Sequence, residues 1–453
     1  MADEPPGSPH PKVPRPQAEL APVGTRHFVA LSLYWLANTV MWGALLHLTL
    51  QSRLTDWFTE VEVGPRLALL AGIGGLFGTV AQLVFGAFSD RSRSPRGRRR
   101  PYIITGTLTG AASLMILGAA PSYWPFVAGL VLLQITSNIA LGPFTALLPD
   151  TVPPAQHGAA SGWMGLARLA GDTGGLILAG VLLGAAVRAD FPTAGAYEAF
   201  RQRQMLLLCG VIAAFLLGMM LITVIAIRED PGRGGPRRSA GRVLVESFRV
   251  DFRGNRDFMW LSASRMAANL GIYTFLEYMR FYLQYSLGVE NADRLTLLVM
   301  LPAIASAVVV SLPSGAWSDR IGRKPLLIAA QVLVAVGALM VAFAPEVRWV
   351  YAAAVPAGLG YGVFTAVEWA LACNLVPKQE AARYLGFWNV SAVLPQIGAS
   401  VLMGPLGSWL SRYQAGLGWR VDYVVGAGCV LLGAYLLRWV REERAECGPG
   451  KAE

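Results

Sequence analysis

Apolar and polar positions along this chain fall into long blocks instead of the short alternations of a soluble fold. Twelve apolar runs lie at 27–50, 66–89, 101–121, 124–148, 158–186, 202–227, 257–285, 293–317, 325–344, 348–375, 381–405 and 419–440. A helix of about 20 such residues crosses the hydrocarbon core of a bilayer. Several runs contain Gly or Pro, which membrane helices tolerate better than soluble ones do. The pattern predicts an all-α polytopic membrane protein with twelve transmembrane helices. The longest internal polar interval runs from Arg228 to about Arg256 and splits the twelve into six and six. The predicted organisation is a tail over 1–24, a six-helix half over 25–227, a linker over 228–256, a second half over 257–440 and a tail over 441–453. Within the linker, VLVESFRVDF has the spacing of a short amphipathic surface helix, or is simply a solvated connection.

Composition agrees with the pattern. The 453 residues are 54% hydrophobic and only 15% charged, where a soluble chain carries roughly a quarter charged residues. A net charge of +10 raises the question of nucleic acid, and the distribution of the basic residues answers it. With the N-terminus in the cytoplasm, the cytoplasmic segments hold 26 of the 38 Lys and Arg residues and the opposite side holds 9. Arg168, Arg265 and Arg280 fall inside helices. This is the positive-inside pattern, so both termini are expected in the cytoplasm of a plasma (inner) membrane, and nucleic acid is not an expected partner. Cys209, Cys373, Cys429 and Cys447 show no CxxC or metal-ligand spacing and read as small apolar fillers. The first 24 residues are Pro-rich without an apolar core, which fits a disordered tail and not a cleaved signal.

The chain repeats itself. Gly86-x-x-Ser89-Asp90-Arg91 closes the second run, and Gly315-x-x-Ser318-Asp319-Arg320 closes the eighth, which is the second run of the second half. A further echo pairs the segment from Val152 with that from Val376, at the junction of the fourth and fifth runs of each half. Helix ends at a membrane face present unpaired carbonyls and N–H groups. An Asp there can accept from a helix N-terminus, and Arg can pair with helix C-termini or carboxylates. The expected role is a cytoplasmic gate that latches the two halves and opens when they rock.

These residues resemble the major facilitator signature G-x-x-x-D-R-…-G-R-[KR]. It is matched by Gly86, Asp90, Arg91, Gly97, Arg98 and Arg99, then by Gly315, Asp319, Arg320, Gly322, Arg323 and Lys324. SDR-x5-GRRRP resembles the glycoside-pentoside-hexuronide branch, particularly the sucrose–proton symporters and their bacterial relatives. Asn138, Gly142, Pro143, Ala146, Leu147, Leu148 and Asp150 also fit that branch's fourth-helix pattern. The resemblance implies two six-helix parallel repeats with a solute site between them near the midplane. Where the sucrose symporters carry an arginine and an aspartate on the fourth helix, this chain has Thr145 and Gln134.

Charge inside a bilayer costs about 2.5–3.5 kcal/mol on insertion scales, so each such residue asks for a cavity or a partner. Arg168 and Asp172, four residues apart, lie about 15–21 Å into the fifth helix and form either a static packing pair or a coupling site. Arg265 and Glu368 lie at equal depth, about 12 and 10 Å from the cytoplasmic ends of helices seven and ten. Glu368, with Arg265 as counter-ion, is the expected proton-coupling group, because two helices can part while a same-helix pair travels together. Gly358-x-Gly360-x-Gly362 reads as close helix packing, and such a run would also let the tenth helix bend. Glu277 and Arg280 sit near the external end of helix seven, where snorkelling accounts for them. Asn38, Gln134, Asn138, Tyr273, Trp369, Asn389 and Gln396 supply the amides and aromatic faces that suit a sugar, with Trp35, Trp42 and Trp388 nearby.

No G-x4-GK-[ST] loop, convergent His/Cys/carboxylate cluster or added receptor domain occurs. A secondary transporter without cofactor or metal is expected, moving a sugar or glycoside with protons by alternating access as a monomer. Proton-coupled efflux of amphipathic compounds is the alternative; an enzyme or a non-transporting receptor fits poorly.

Overall fold

The computed structural model describes residues 22–90, 92, 94, 95, 97–153, 156–227, 255–375 and 381–441. The linker with its VLVESFRVDF segment, most of both tails and Arg91 lie outside the described residues. Every regular element among the described residues is helical. The twelve spans are α1 (Thr25–Trp57), α2 (Glu60–Asp90), α3 (Arg100–Ala119), α4 (Tyr123–Thr145), α5 (His157–Leu183), α6 (Ala194–Ala226), α7 (Arg256–Phe281), α8 (Ala292–Ile321), α9 (Arg323–Ala342), α10 (Val347–Leu375), α11 (Ala381–Leu410) and α12 (Leu417–Leu436). Eleven are apolar enough over their length to cross a membrane by composition alone. The exception, α7, carries Arg256, Asp257, Arg265, Glu277 and Arg280. Glu277 and Arg280 are buried and Arg265 is half-buried against other helices, so protein replaces lipid around them, while Arg256 is exposed at the helix start.

Helix ends are set by identifiable groups. Asn255 and Asn291 cap α7 and α8, their side-chain oxygens accepting from Phe258 N and Arg294 N at 3.2 and 3.0 Å, and Thr193 caps α6. Several helices extend beyond their apolar runs. α6 begins at Ala194 because its polar first turns pack Arg201 inward, where it is 2% exposed. α1 passes through a π turn at Leu45–Thr49. Carbonyls loosened by such a turn need other donors, and Thr49 Oγ1 and Gln51 Nε2 supply them, donating to Ala44 O and Leu46 O at 2.7 Å each. α7 ends in a matching π turn at Tyr282–Ser286.

The repeat read from the sequence reappears in the packing. In the first half α1 packs on α5 and α6, α2 and α3 on α4, and α3 on α6. In the second, α7 packs on α11 and α12, α8 and α9 on α10, and α9 on α12. Each pairing has its counterpart six helices later. The halves meet along α2 against α11 and α5 against α8, the crossed pairing that a two-fold relation demands. Gly97 and Gly322, which precede the basic residues of the two signatures, hold φ of +109° and +101°. An L side chain rarely enters that region. The glycines of both motifs are therefore required by the turns into α3 and α9.

The Gly358-x-Gly360-x-Gly362 run is the close-packing surface expected of it. α10 is continuous through it; Gly358 and Gly362 lie against Ala303 and Ala307 of α8, and Gly360 against Ala330 of α9. Two helices approach α10 from opposite sides, which is why small residues alternate there.

Candidate functional site

Each half holds one ion pair at mid-membrane depth, and Asp172 of the first lines the cavity between the halves. In the second half, Arg265 of α7 and Glu368 of α10 place Nε and Oε1 3.5 Å apart. The guanidinium stacks 4.0 Å over the ring of Trp388 on α11, so three helices meet at one buried charge. Glu368 and Trp388 are 5% and 1% exposed. The pair is close enough for charge attraction but not aligned as a hydrogen bond. Arg265 Nε and Nη1, Glu368 Oε1 and Trp388 Nε1 are left without hydrogen-bond partners. Buried polar groups in this condition are uncommon and need an account. Three donors beside one acceptor can be satisfied by a hydroxylated solute, whose hydroxyls both donate and accept.

In the first half, Arg168 Nε and Asp172 Oδ2 lie 3.8 Å apart on one face of α5, with side chains 62% and 37% exposed. They border open space. Asp172 lines a cavity of about 120 Å³ between the halves, together with His47, Thr173, Phe275, Met300 and Tyr361. His47 reaches it from the π turn of α1, and its Nδ1 has no partner. The remainder of the wall is mostly aliphatic. Tyr361 lies seven residues before Glu368, on the same face of α10, within electrostatic reach of Arg168, Asp172, Glu368 and Arg265. Tyr273 of α7 is similarly close to Tyr361, Arg168 and Arg265. The two tyrosines thus stand between the two pairs. Neither Tyr361 nor His47 was singled out for a solute; the spacing of Tyr361 from Glu368 was the available signal.

The other polar candidates are more scattered. Asn38 of α1 and Asn269 of α7 are both buried, and at the same register of their helices. Asn138 is buried and donates to Gln134 O within α4 at 2.8 Å. Gln134 presses on Gly74 and Gly78 of α2. Gln396 is half-buried in α11, and Trp35 stacks on Phe144 at 6.0 Å. Trp369 is 51% exposed and points away from the face that carries Glu368. Asn389 lies in α11, and its side chain is outside the described part.

At the end that carries the termini, Arg98 Nη2 and Arg99 Nε donate to Asp150 Oδ2 at 2.6 and 3.0 Å, and Arg99 Nη1 donates to Ser89 Oγ at 2.6 Å. In the second-half counterpart, Arg323 Nη1 donates to Ala370 O at 2.7 Å. Gly142 lies against Gln82 and Gly86, Gly315 is open, and Arg320 is exposed. The side chains of Asp90 and Asp319 are not among those described. These bonds tie helices of one half to each other. The expected latch between the halves turns on Asp90, Arg91 and Asp319, which lie outside the described side chains; among the described residues no hydrogen bond joins the halves at this end.

The opposite end is closed. Gly64 N donates to Ser408 Oγ at 3.0 Å, and Glu60 Oε1 accepts from Gly416 N and Trp419 Nε1 at 2.8 and 3.0 Å. Asn291 Nδ2 donates to Gly184 O at 3.1 Å. A Cβ added to Gly64 would collide with the Gly404 carbonyl. Arg280 and Glu277 are 6% and 5% exposed, so snorkelling does not describe them. Arg280 Nε donates to Asp293 Oδ1 at 2.5 Å and Ser400 Oγ to Glu277 Oε2 at 2.6 Å. Hydropathy missed these because both residues lie near a helix end, where charge is usually solvated.

Comparison with known proteins agrees with this geometry. The family model described as Major Facilitator Superfamily matches residues 27–311 and 291–453. Sucrose transport protein SUT3 of Oryza sativa subsp. indica is 27% identical over 175 residues, 32% of this chain and 35% of that protein. Multidrug resistance protein MdtH of Sodalis glossinidius is 26% identical over 189 residues, 39% of this chain and 46% of its own length. The chain therefore spans between 27% and 46% of the length of the curated relatives it matches here. The crystal structure of a D-xylose-proton symporter superposes with a TM-score of 0.68 at 16% identity, covering 93% of this chain and 98% of that one.

Proposed function

The chain belongs to the major facilitator superfamily, and from that premise we propose that it moves a sugar or glycoside together with protons by alternating access. The observation that carries the reading is the Arg265–Glu368–Trp388 cluster, whose buried donors and acceptor lack partners. A solute hydroxyl between the halves satisfies them, and Glu368, paired across two helices, is the group whose surroundings change when those helices part. Names among the relatives support the solute class: a sucrose transport protein and a D-xylose-proton symporter. With the termini in the cytoplasm, as the basic residues indicate, the state described above faces inward. The gate at the termini end then closes in the other state, with the signature residues of both halves drawn together.

A second reading, efflux of an amphipathic compound, is favoured by the largely aliphatic wall of the cavity between the halves and by the similarity to a multidrug resistance protein. Uptake of labelled sugars and glycosides into proteoliposomes, with and without an imposed pH gradient, separates the two. Gradient-dependent accumulation of a sugar supports the first. Gradient-dependent movement of a lipophilic dye with no sugar accumulated supports the second.

A further inference from the structure

The closed end holds a charge network that neither the signature nor the solute site uses. Asp293, in the first turn of α8, is 7% exposed and accepts on both oxygens. Oδ1 takes Arg280 Nε at 2.5 Å from its own half. Oδ2 takes Arg201 Nη1 and Ser52 Oγ, both at 2.9 Å, from the other half. Arg201, 2% exposed, has a second carboxylate within its own half: Asp56 Oδ2 lies 3.4 Å from its Nε, and the Leu183 carbonyl accepts from it at 2.8 Å. Arg53 joins the same aspartate at 2.8 Å.

We propose that Arg201 and Asp293 form a partner-exchange lock on this end of the transporter, with Asp56 as the carboxylate to which Arg201 returns when the halves part. Breaking a buried ion pair by separating its members usually strands a charge, at a cost of several kcal/mol. Here separation divides the network into Arg280–Asp293 on one half and Arg201–Asp56–Arg53 on the other. Each cationic group keeps a carboxylate, and Arg280 also keeps Gln284 Oε1 at 2.7 Å. The lock therefore holds the end shut without making its opening prohibitive, which a two-state transporter requires. The inference rests on the alternating-access reading above.

The two aspartates then act with opposite sign. Asp293→Asn removes the bond that crosses between halves and leaves Arg201 with Asp56, so the open state gains. Asp56→Asn leaves the crossing bond intact and removes the fall-back, so Arg201 is stranded only on opening and the closed state gains. Leu297 of α8, 7% exposed against Gly180 of α5, reports opening of the seam when replaced by Cys. Ser161 of α5, exposed on the same face as Arg168, reports the other end. Both are read as maleimide labelling rates in lipid nanodiscs, against the parent without the added cysteine.

Asp293→Asn is expected to speed labelling of Leu297→Cys by about tenfold, and Asp56→Asn to slow it below the otherwise unaltered reporter. The double change Arg201→Gln with Asp293→Asn, which leaves no uncompensated Asp293 and serves if the single variant does not fold, is expected to open the seam as well. Equal or same-direction effects of Asp293→Asn and Asp56→Asn overturn the lock. If instead the seam opens as expected while Ser161→Cys does not become slower to label, the lock stands and the alternating-access reading falls.

Discussion

Each half contributes one mid-membrane ion pair, and the two differ in kind. Arg168 and Asp172 are four residues apart on α5, 3.8 Å from each other, and border open space. Arg265 and Glu368 come from α7 and α10, 3.5 Å apart, and are buried under Trp388. A pair on one helix moves as a rigid unit, so rocking the halves leaves its internal distance unchanged. A pair spanning α7 and α10, both of the second half, changes only where those two helices tilt against each other within that half. The difference teaches where to look for coupling: a proton-exchanging carboxylate needs surroundings that alternate, and a solute-orienting charge needs a fixed position beside the cavity. Glu368 meets the first condition and Asp172 the second.

The largest expected effect breaks the comparison directly. Glu368→Gln keeps the shape of the cluster and removes its titration. Accumulation in proteoliposomes driven by a pH gradient is expected to fall to the level without a gradient, while exchange of labelled for unlabelled solute persists. Wild-type accumulation by this variant would move the coupling role to Asp172, its rival in the other half.

A second pair of substitutions tests the same asymmetry at the termini end. Asp90→Asn and Asp319→Asn each weaken attraction to a helix N-terminus, worth about 0.3–2 kcal/mol, enough to shift a two-state balance up to about thirtyfold. Both variants are expected to insert normally and transport more slowly, the first more so. Its loop carries six basic residues against three in the second half. Unaltered rates in both variants would remove the signature residues from gating.

Much of the fold was legible because the bilayer imposes a single length scale. Twelve apolar runs gave twelve helices, and two copies of one signature gave the repeat that the α1–α5 and α7–α11 packings share. Ends were less legible: the polar start of α6 is helical because Arg201 is satisfied by groups 145 and 92 residues away in sequence. The Arg265–Glu368 contact was accessible from equal depths on two helices. The Asp56–Arg201–Asp293 network was not, since its members come from three separate helix ends and no spacing rule joins them. Gly358, Gly360 and Gly362 read as a packing run and are one, but which helices they meet, α8 at Ala303 and Ala307 and α9 at Ala330, no spacing could supply.

Asp172→Asn sharpens the comparison from the first half. Its carboxylate lines the cavity and its partner travels with it, so the expected loss is in solute affinity. A charged hydrogen bond contributes about 1.5–3 kcal/mol, which predicts an apparent Kd weaker by tenfold or more at an unchanged accumulation ratio under saturating solute. Loss of the ratio at normal affinity would place coupling in the fixed pair and refute the distinction.

Trp388→Phe carries the smallest expected effect and separates two uses of one side chain. The tryptophan offers a ring face to Arg265 and an Nε1–H without a partner. Phenylalanine keeps a face, weaker as a cation–π surface, and removes the donor. An unsatisfied buried donor is a burden on the empty protein, so its removal offsets part of the packing lost with the smaller ring. If the solute accepts from Nε1, the bound state loses a neutral hydrogen bond of about 0.5–1.5 kcal/mol, or roughly two- to tenfold in affinity. The expected result is therefore a solute that raises the melting temperature of the variant less than that of the wild type, with gradient-driven accumulation retained. An identical rise in both proteins would show that Nε1 does not meet the solute, and would confine Trp388 to seating Arg265 beside Glu368.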